Sequence, residues 1–136
     1  MLENALSLLG LARKGGNIAI GEEPVGAAAR GAKARLIILA SDAAGHTVRR
    51  AEAYGSLHHT PVISLNADKA ALGAVFGRSS VAMAALTDIK LARAFLEKLE
   101  DPDRYGPVLE TVTEKMETME KRRQRKGHKR KLEVAL

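Results

Sequence analysis

Cysteine is absent from this chain of 136 residues. That excludes disulfides, zinc ribbons, iron–sulfur clusters and thiol nucleophiles. Tryptophan is absent as well, and the aromatic residues are two Tyr and two Phe. So few rings do not make the stacking platform on which single-strand binders lay successive bases. No apolar run nears the roughly 20 residues needed to cross a bilayer. The N-terminus carries no basic stretch leading into a hydrophobic segment and a small-residue cleavage site, so no secretory signal is read and a soluble cytoplasmic protein is expected.

The usual catalytic signatures are missing too. There is no Walker pattern, no G-x-G-x-x-G and no G-x-S-x-G elbow. Gly15-Gly16 and Gly21 flank an apolar stretch rather than opening the helix after a strand, which speaks against a dinucleotide site. His58 and His59 are neighbours ahead of a strand, with no acidic residue at ligand spacing, so no metal is expected. Glu22-Glu23 reads as a helix start rather than an acid/base pair. A non-catalytic protein without cofactor is the expectation.

What is present is a core and an uneven charge. Hydrophobic residues make up 46% of the chain, enough for one packed domain with an appendage. The net charge is +6. Residues 1–100 hold 12 basic and 9 acidic side chains, residues 101–120 hold 2 and 6, and residues 121–136 hold 8 and 1. The last block contains Lys121-Arg122-Arg123-Gln124-Arg125-Lys126-Gly127-His128-Lys129-Arg130-Lys131. A run of this kind suits a polyphosphate partner, and a purely solubilising tail is the plainer alternative.

Apolar spacing predicts an amphipathic helix over 2–13, stopped by Gly15-Gly16. Ile18-Ala19-Ile20 is a short strand. A helix then runs from Glu22 to about Gly31. Leu36-Ile37-Ile38-Leu39-Ala40 is unbroken and β-branched, as in a strand buried on both faces. A helix over 44–56, a strand at Pro61–Leu65, a short helix after Asp68, a strand at Val81–Leu86 and a helix over 89–99 capped by Thr87-Asp88 complete the alternation. The expected architecture is α/β: a three-layer α/β/α sandwich around a small mixed four-stranded sheet, with a C-terminal helical basic extension. The domain is expected over 1–100. Asp101-Pro102-Asp103 and Gly106-Pro107 suggest a linker over 101–107. The remainder, 108–136, reads as helical and then as a basic, flexible tail. Leu109, Val112, Met116 and Met119 form a stripe that either docks on the domain or meets another chain.

The stretch richest in chemistry is Arg13-Lys14, the glycine turn, the short strand, and the helix opening at Gly21-Glu22-Glu23. Backbone N–H groups at a helix start can meet a phosphate or a base edge. Arg13 and Lys14 either hold phosphates beside it or only complement the dipole of the first helix.

Several of these pieces together resemble a known family. Leu9-Gly10-Leu11-Ala12-Arg13-Lys14, Gly21-Glu22-Glu23, Ala32-Lys33-Ala34-Arg35-Leu36, Leu39-Ala40-Ser41-Asp42-Ala43, Thr60-Pro61-Val62, Leu72-Gly73 with Gly77, and Ala85-Leu86-Thr87-Asp88 occur in order across residues 2–99. They look like the YlxQ-like branch of the kink-turn RNA-binding ribosomal proteins, the L-seven-Ae and thirty-e superfamily. The resemblance implies the same sandwich and an RNA-binding edge. In kink-turn binders a Gly-Thr-Asn-Glu stretch, with Lys four residues after the Asn, starts the second helix, and a loop before the last strand covers an extruded nucleotide. Here Gly21 keeps the glycine, while Glu22, Glu23, Pro24 and Ala27 stand at the Thr, Asn, Glu and Lys positions. Glu23 accepts but cannot donate, and Arg30 is the candidate replacement for the lost Lys.

The implied RNA-binding set is therefore Arg13, Lys14, Gly21, Glu22, Glu23, Arg30, Lys33, Arg78 and Ser79, with Lys121, Arg122, Arg123, Arg125 and Lys126 gripping the phosphate backbone. The expected partner is structured RNA, ribosomal RNA foremost, and not a membrane. The rival is a protein-interaction module or oligomerising scaffold that uses the 109–119 stripe. The sandwich also resembles a domain attached to some RNA 2′-O-methyltransferases, which leaves an enzyme fragment as a third option, but no catalysis is expected of these residues themselves.

Overall fold

A computed structural model describes the backbone of residues 2–135 and the side chains of residues 2–127. Lys129, Arg130 and Lys131, counted above in the basic run, lie outside the described side chains. The order of elements is α1 (Leu2–Lys14), β1 (Ile18–Ile20), α2 (Glu22–Arg30), β2 (Leu36–Leu39), α3 (Gly45–Leu57), β3 (Val62–Ser64), α4 (Lys69–Val75), β4 (Met83–Leu86), α5 (Ile89–Lys98) and α6 (Pro102–Ala135).

Local chemistry sets most of these boundaries. Helix α1 ends in a Schellman turn: the Asn17 N–H returns to the Ala12 carbonyl at 2.8 Å and the Gly16 N–H to Arg13 at 3.1 Å. Gly16 takes φ 71° at the left-handed position that this turn requires. Asp68 caps α4 by accepting from the Ala71 N–H, and Asp88 caps α5 by accepting from Lys90 and Leu91.

The four strands lie in the order β1-β4-β2-β3. β4 runs antiparallel to both β1 and β2, while β2 and β3 are parallel. The central strands β2 and β4 are buried throughout, which explains their unbroken apolar sequence. Alternation along them feeds two cores. Leu36, Ile38, Ala84 and Leu86 face a core closed by α1, α4, α5 and α6. Ile37, Leu39, Met83 and Ala85 face a core closed by α2 and α3. The expected three-layer sandwich with a mixed sheet is therefore present.

The segment 101–107 is not a linker. Helix α6 is already under way at Pro102, with Asp101 capping it: the Asp101 carboxylate accepts from the Arg104 N–H at 3.2 Å, and its carbonyl accepts from the Tyr105 N–H at 2.9 Å. Pro102 occupies the first helical position, where a missing N–H costs nothing. Pro107 sits one turn further in and is tolerated inside the helix.

Tyr105, Val112 and Met116 are buried against the α1–α5 side of the molecule, with Leu109 and Met119 partly buried beside them. The apolar stripe is thus used within the chain. Tyr105 Oη donates to the Ser64 carbonyl at 2.6 Å, and Arg104 donates to Ser64 O at 2.9 Å and to Asn66 Oδ1 at 2.8 Å. Ten residues later Lys115 Nζ donates to the carbonyl of His59. Ser64 ends β3 and His59 precedes it, so α6 runs antiparallel to β3 along the edge of the sheet.

Candidate nucleic-acid interface

One end of the sheet, where β1, β2 and β3 finish and β4 begins, gathers the first part of the expected site. Ile20 lies beside Ala84, and the next residue, Gly21, donates its N–H to the Met83 carbonyl at 2.8 Å. Gly21 has φ 97° and ψ 162°, a region essentially restricted to glycine. That turn throws the chain into α2, whose Val25 N–H returns to Gly21 O at 3.0 Å. No side chain caps this helix. Its first-turn N–H groups at Glu22 and Glu23 carry the positive end of the dipole, and Pro24 supplies none.

The two acids at this helix start do different work. Glu22 Oε2 accepts from Arg50 Nη1 of α3 at 2.9 Å. It acts as a strut between α2 and α3 and fixes a guanidinium at the same edge. Glu23 is exposed and has no partner among the described residues, so its carboxylate is the free acceptor.

The loop joining α4 to β4 connects this helix start to Arg13. It begins at Gly77, where an added Cβ would lie 3.9 Å from Arg13 Nη1, so the α1 guanidinium rests against the loop. The chain then folds back over α4. An added Cβ on Gly73 would meet Arg78 O and Ser80 N at 2.8 Å each, and the Arg78 N–H bonds to Gly73 O at 2.9 Å. The Val81 N–H bonds to Lys69 O at 3.0 Å, Ala82 O accepts from Ala40, and Met83 O accepts from Gly21. Arg13, Lys14, Arg78 and Ser79 are all exposed. One short loop, held at every turn by backbone bonds, thus links the Arg13 guanidinium to the start of α2.

Arg30 and Lys33 lie elsewhere. Arg30 is the last residue of α2, one turn beyond Ala27 and about 12 Å along the helix from Glu22 at 1.5 Å per residue. Lys33 follows it, and the N–H of Arg35 bonds to Leu86 O at 2.7 Å, at the far end of β4 from Met83. Lys121, Arg122, Arg123, Arg125 and Lys126 are exposed on α6, beyond its last buried residue, Met116. Since α6 passes Ser64 before His59, these cations leave the domain at the end where β2 and β3 begin, together with Lys33 and Arg35. The expected set is therefore split between opposite ends of the sheet.

Sequence reasoning missed Arg50, Arg49, Arg35 and Lys115. Arg49 folds over the first residue of α3, its Nη1 3.3 Å from where a Gly45 Cβ would stand. The Arg49-Arg50 pair on a polar helix was a visible signal, but its partner 28 residues away was not. The Lys115 amine is held below its usual range by burial and then by the nearby Arg35 guanidinium.

Among the described residues no group of three or more His, Asp or Glu is placed to hold a metal ion, and no helix is long and apolar enough to cross a membrane.

The sequence pattern of the ribosomal protein L7Ae/L30e/S12e/Gadd45 family matches residues 3–94. This chain belongs to that family. It is also similar to a solved structure described as a protein with unknown function from Bacillus halodurans C, at 28% identity and a TM-score of 0.65; the match covers 71% of this chain and 97% of that one. No curated protein matches. The family match takes in Arg13, Lys14, the start of α2 and the 77–82 loop, and stops within α5. The cations of α6 lie outside it.

Proposed function

We propose that this chain is an RNA-binding protein of the YlxQ-like branch that acts in the cytoplasm on structured RNA, ribosomal RNA foremost. It reads a kinked segment through the edge formed by Arg13, the Gly77–Ser80 loop and the start of α2. The observation that carries this reading is the loop itself, which starts beside Arg13 at Gly77 and leads into β4, whose Met83 carbonyl accepts from Gly21. A kink crowds phosphates and turns base edges outward. Arg13, Lys14 and Arg78 suit the phosphates. The uncapped α2 start and the Glu23 carboxylate suit base edges, with Glu23 accepting from a guanine amino or imino group. Gly21 brings bare backbone to the surface, so a base can approach closely. Membership of a family of RNA-binding ribosomal-type proteins supports the class of partner.

The test compares a kink-turn RNA with an unkinked duplex of equal length, at low and high salt. The full chain is expected to prefer the kinked RNA and to keep that preference as salt rises. Arg13→Ala combined with Arg78→Ala is expected to weaken it by about tenfold or more, the scale of lost charge-assisted contacts. Equal affinity of variant and wild type would sink the site assignment.

A further inference from the structure

We infer that the opposite end of the sheet, with the projecting part of α6, is a second RNA surface that holds the backbone of a duplex, so that one molecule joins two RNA segments. The inference shares with the proposed function only the class of ligand.

The row begins at Lys115, pinned to the His59 carbonyl. At 3.6 residues per turn, Arg122 and Lys126 fall within roughly 20° of Lys115 around the helix, and Arg123 falls about 80° round, in line with the buried stripe. Glu117 falls on the far side of the helix, about 160° from Lys115, while Glu120 lies about 140° from Lys115 and toward α5, where it lines a groove with Lys90, Arg93 and Met116. Arg122, Arg123 and Lys126 therefore continue the flank of α6 that carries Lys115 and the partly buried Met119, while Lys121 and Arg125 fall on the opposite side. Met119, Arg122, Arg123, Lys126 and Gly127 line one open groove there.

Arg35, with Lys33 two residues before it in the chain, brings positive charge to this corner from the domain side. Arg35 is near enough to the Lys115 amine to act on its charge. At 1.5 Å per residue, Arg122 and Lys126 stand about 10 and 16 Å beyond Lys115 along the axis. Guanidiniums and amines contributed both by the end of the domain and by the helix suit a rod of phosphates. The described residues of this corner include no Phe, Tyr or Trp on which an unpaired base would stack, which favours a duplex backbone over a single strand. Such binding is blind to sequence and depends on released counterions. Glu22 and Glu23, by contrast, are at the other end of the domain.

The test measures the anisotropy of a labelled blunt RNA duplex, two helical turns long, with the full chain, both free and carrying one equivalent of unlabelled kink-turn RNA. The duplex is expected to bind both forms equally. Arg122→Glu with Lys126→Glu is expected to weaken duplex binding by about tenfold and to lower its salt slope by about two, one for each lost phosphate contact, while leaving the kink-turn RNA bound. Lys33→Glu alone is expected to give a smaller loss. Both changes sit on exposed side chains, and circular dichroism checks the fold.

The inference is overturned if kink-turn RNA displaces the duplex mole for mole, if the double reversal leaves duplex binding intact, or if an acidic peptide occupies the corner and the duplex does not. If Arg13→Ala with Arg78→Ala leaves kink-turn binding unchanged, the loop-edge reading fails, and free-protein duplex binding still decides this one.

Discussion

The two ends of the sheet present positive charge in opposite ways. At the loop end, guanidiniums lie against backbone held by several hydrogen bonds. Arg13 lies on Gly77, the loop is closed on Gly73, and Arg50 is tied to Glu22. At the arm end, cations repeat along a helix whose last buried residue is Met116, with Met119 partly buried beyond it. Rigid placement suits the recognition of one shape, while a periodic row suits a uniform polyanion. The family pattern covers only the first kind. Precision thus belongs to the shared domain, and reach to the extension.

Changes that separate the two ends test this division. The largest effect is expected from Val112→Asp, which places a carboxylate at a fully buried position on the docked face of α6. A loss of at least about 3 kcal/mol is expected, read as a drop in the thermal midpoint. An unchanged melt would mean that this face does not hold α6.

Next comes Gly21→Ala. A side chain at φ 97° costs about 1–3 kcal/mol, and the turn that aims α2 shifts. Kink-turn binding is expected to fall with stability while duplex binding at low salt persists. If both RNAs were lost equally, the two ends would not be separate.

Tyr105→Phe removes the hydroxyl bonded to Ser64, at a cost of about 1 kcal/mol. It also has a pH signature. Burial, opposed by Arg104 and aided by Asp101, holds the Tyr105 proton above the ordinary value of 10.0. The unfolded chain releases that proton first, so stability falls as pH rises from 10.0 through the raised value. The Lys115 amine, held low, slopes the other way. The informative quantity is therefore the difference between wild type and Tyr105→Phe, which is expected to shrink above pH 10.0.

The smallest stability effect is expected from Arg50→Ala. Its pair with Glu22 is more than half exposed on the Arg50 side, so no more than about 1 kcal/mol is at stake. Kink-turn affinity is nevertheless expected to drop several-fold, because a bare Glu22 then faces the phosphates. An urea melt and a binding curve on one preparation separate the two readings.

Much of the fold was legible because single residues carry unambiguous signals. Gly15-Gly16 stops α1, Asp68 and Asp88 cap their helices, and the run Leu36–Leu39 reads as a strand covered on both sides. Proline was ambiguous. Pro102 and Pro107 punctuate a linker and the start of a helix equally well, and only the bonds made by Asp101 decide between them. The site was half legible. Arg13 and Arg78 are 65 residues apart in sequence, and their convergence depends on α4 returning beside α1. The Glu22–Arg50 pair and the separation of Arg30 from Gly21 follow from helix lengths and packing, which no local pattern contains.

The course of α6 along β3 has one more consequence. β2 takes the inner groups of β3 through Pro61 O and Leu65 N, so the Ser64 carbonyl points outward, where Tyr105 and Arg104 occupy it. A bare edge strand invites pairing with a neighbouring chain and aggregation. Synthesis proceeds from the N-terminus, so β3 is made well before the helix that covers it. During translation that margin stays open until α6 emerges, and a nascent chain stalled near residue 100 is expected to be the most aggregation-prone form of this protein.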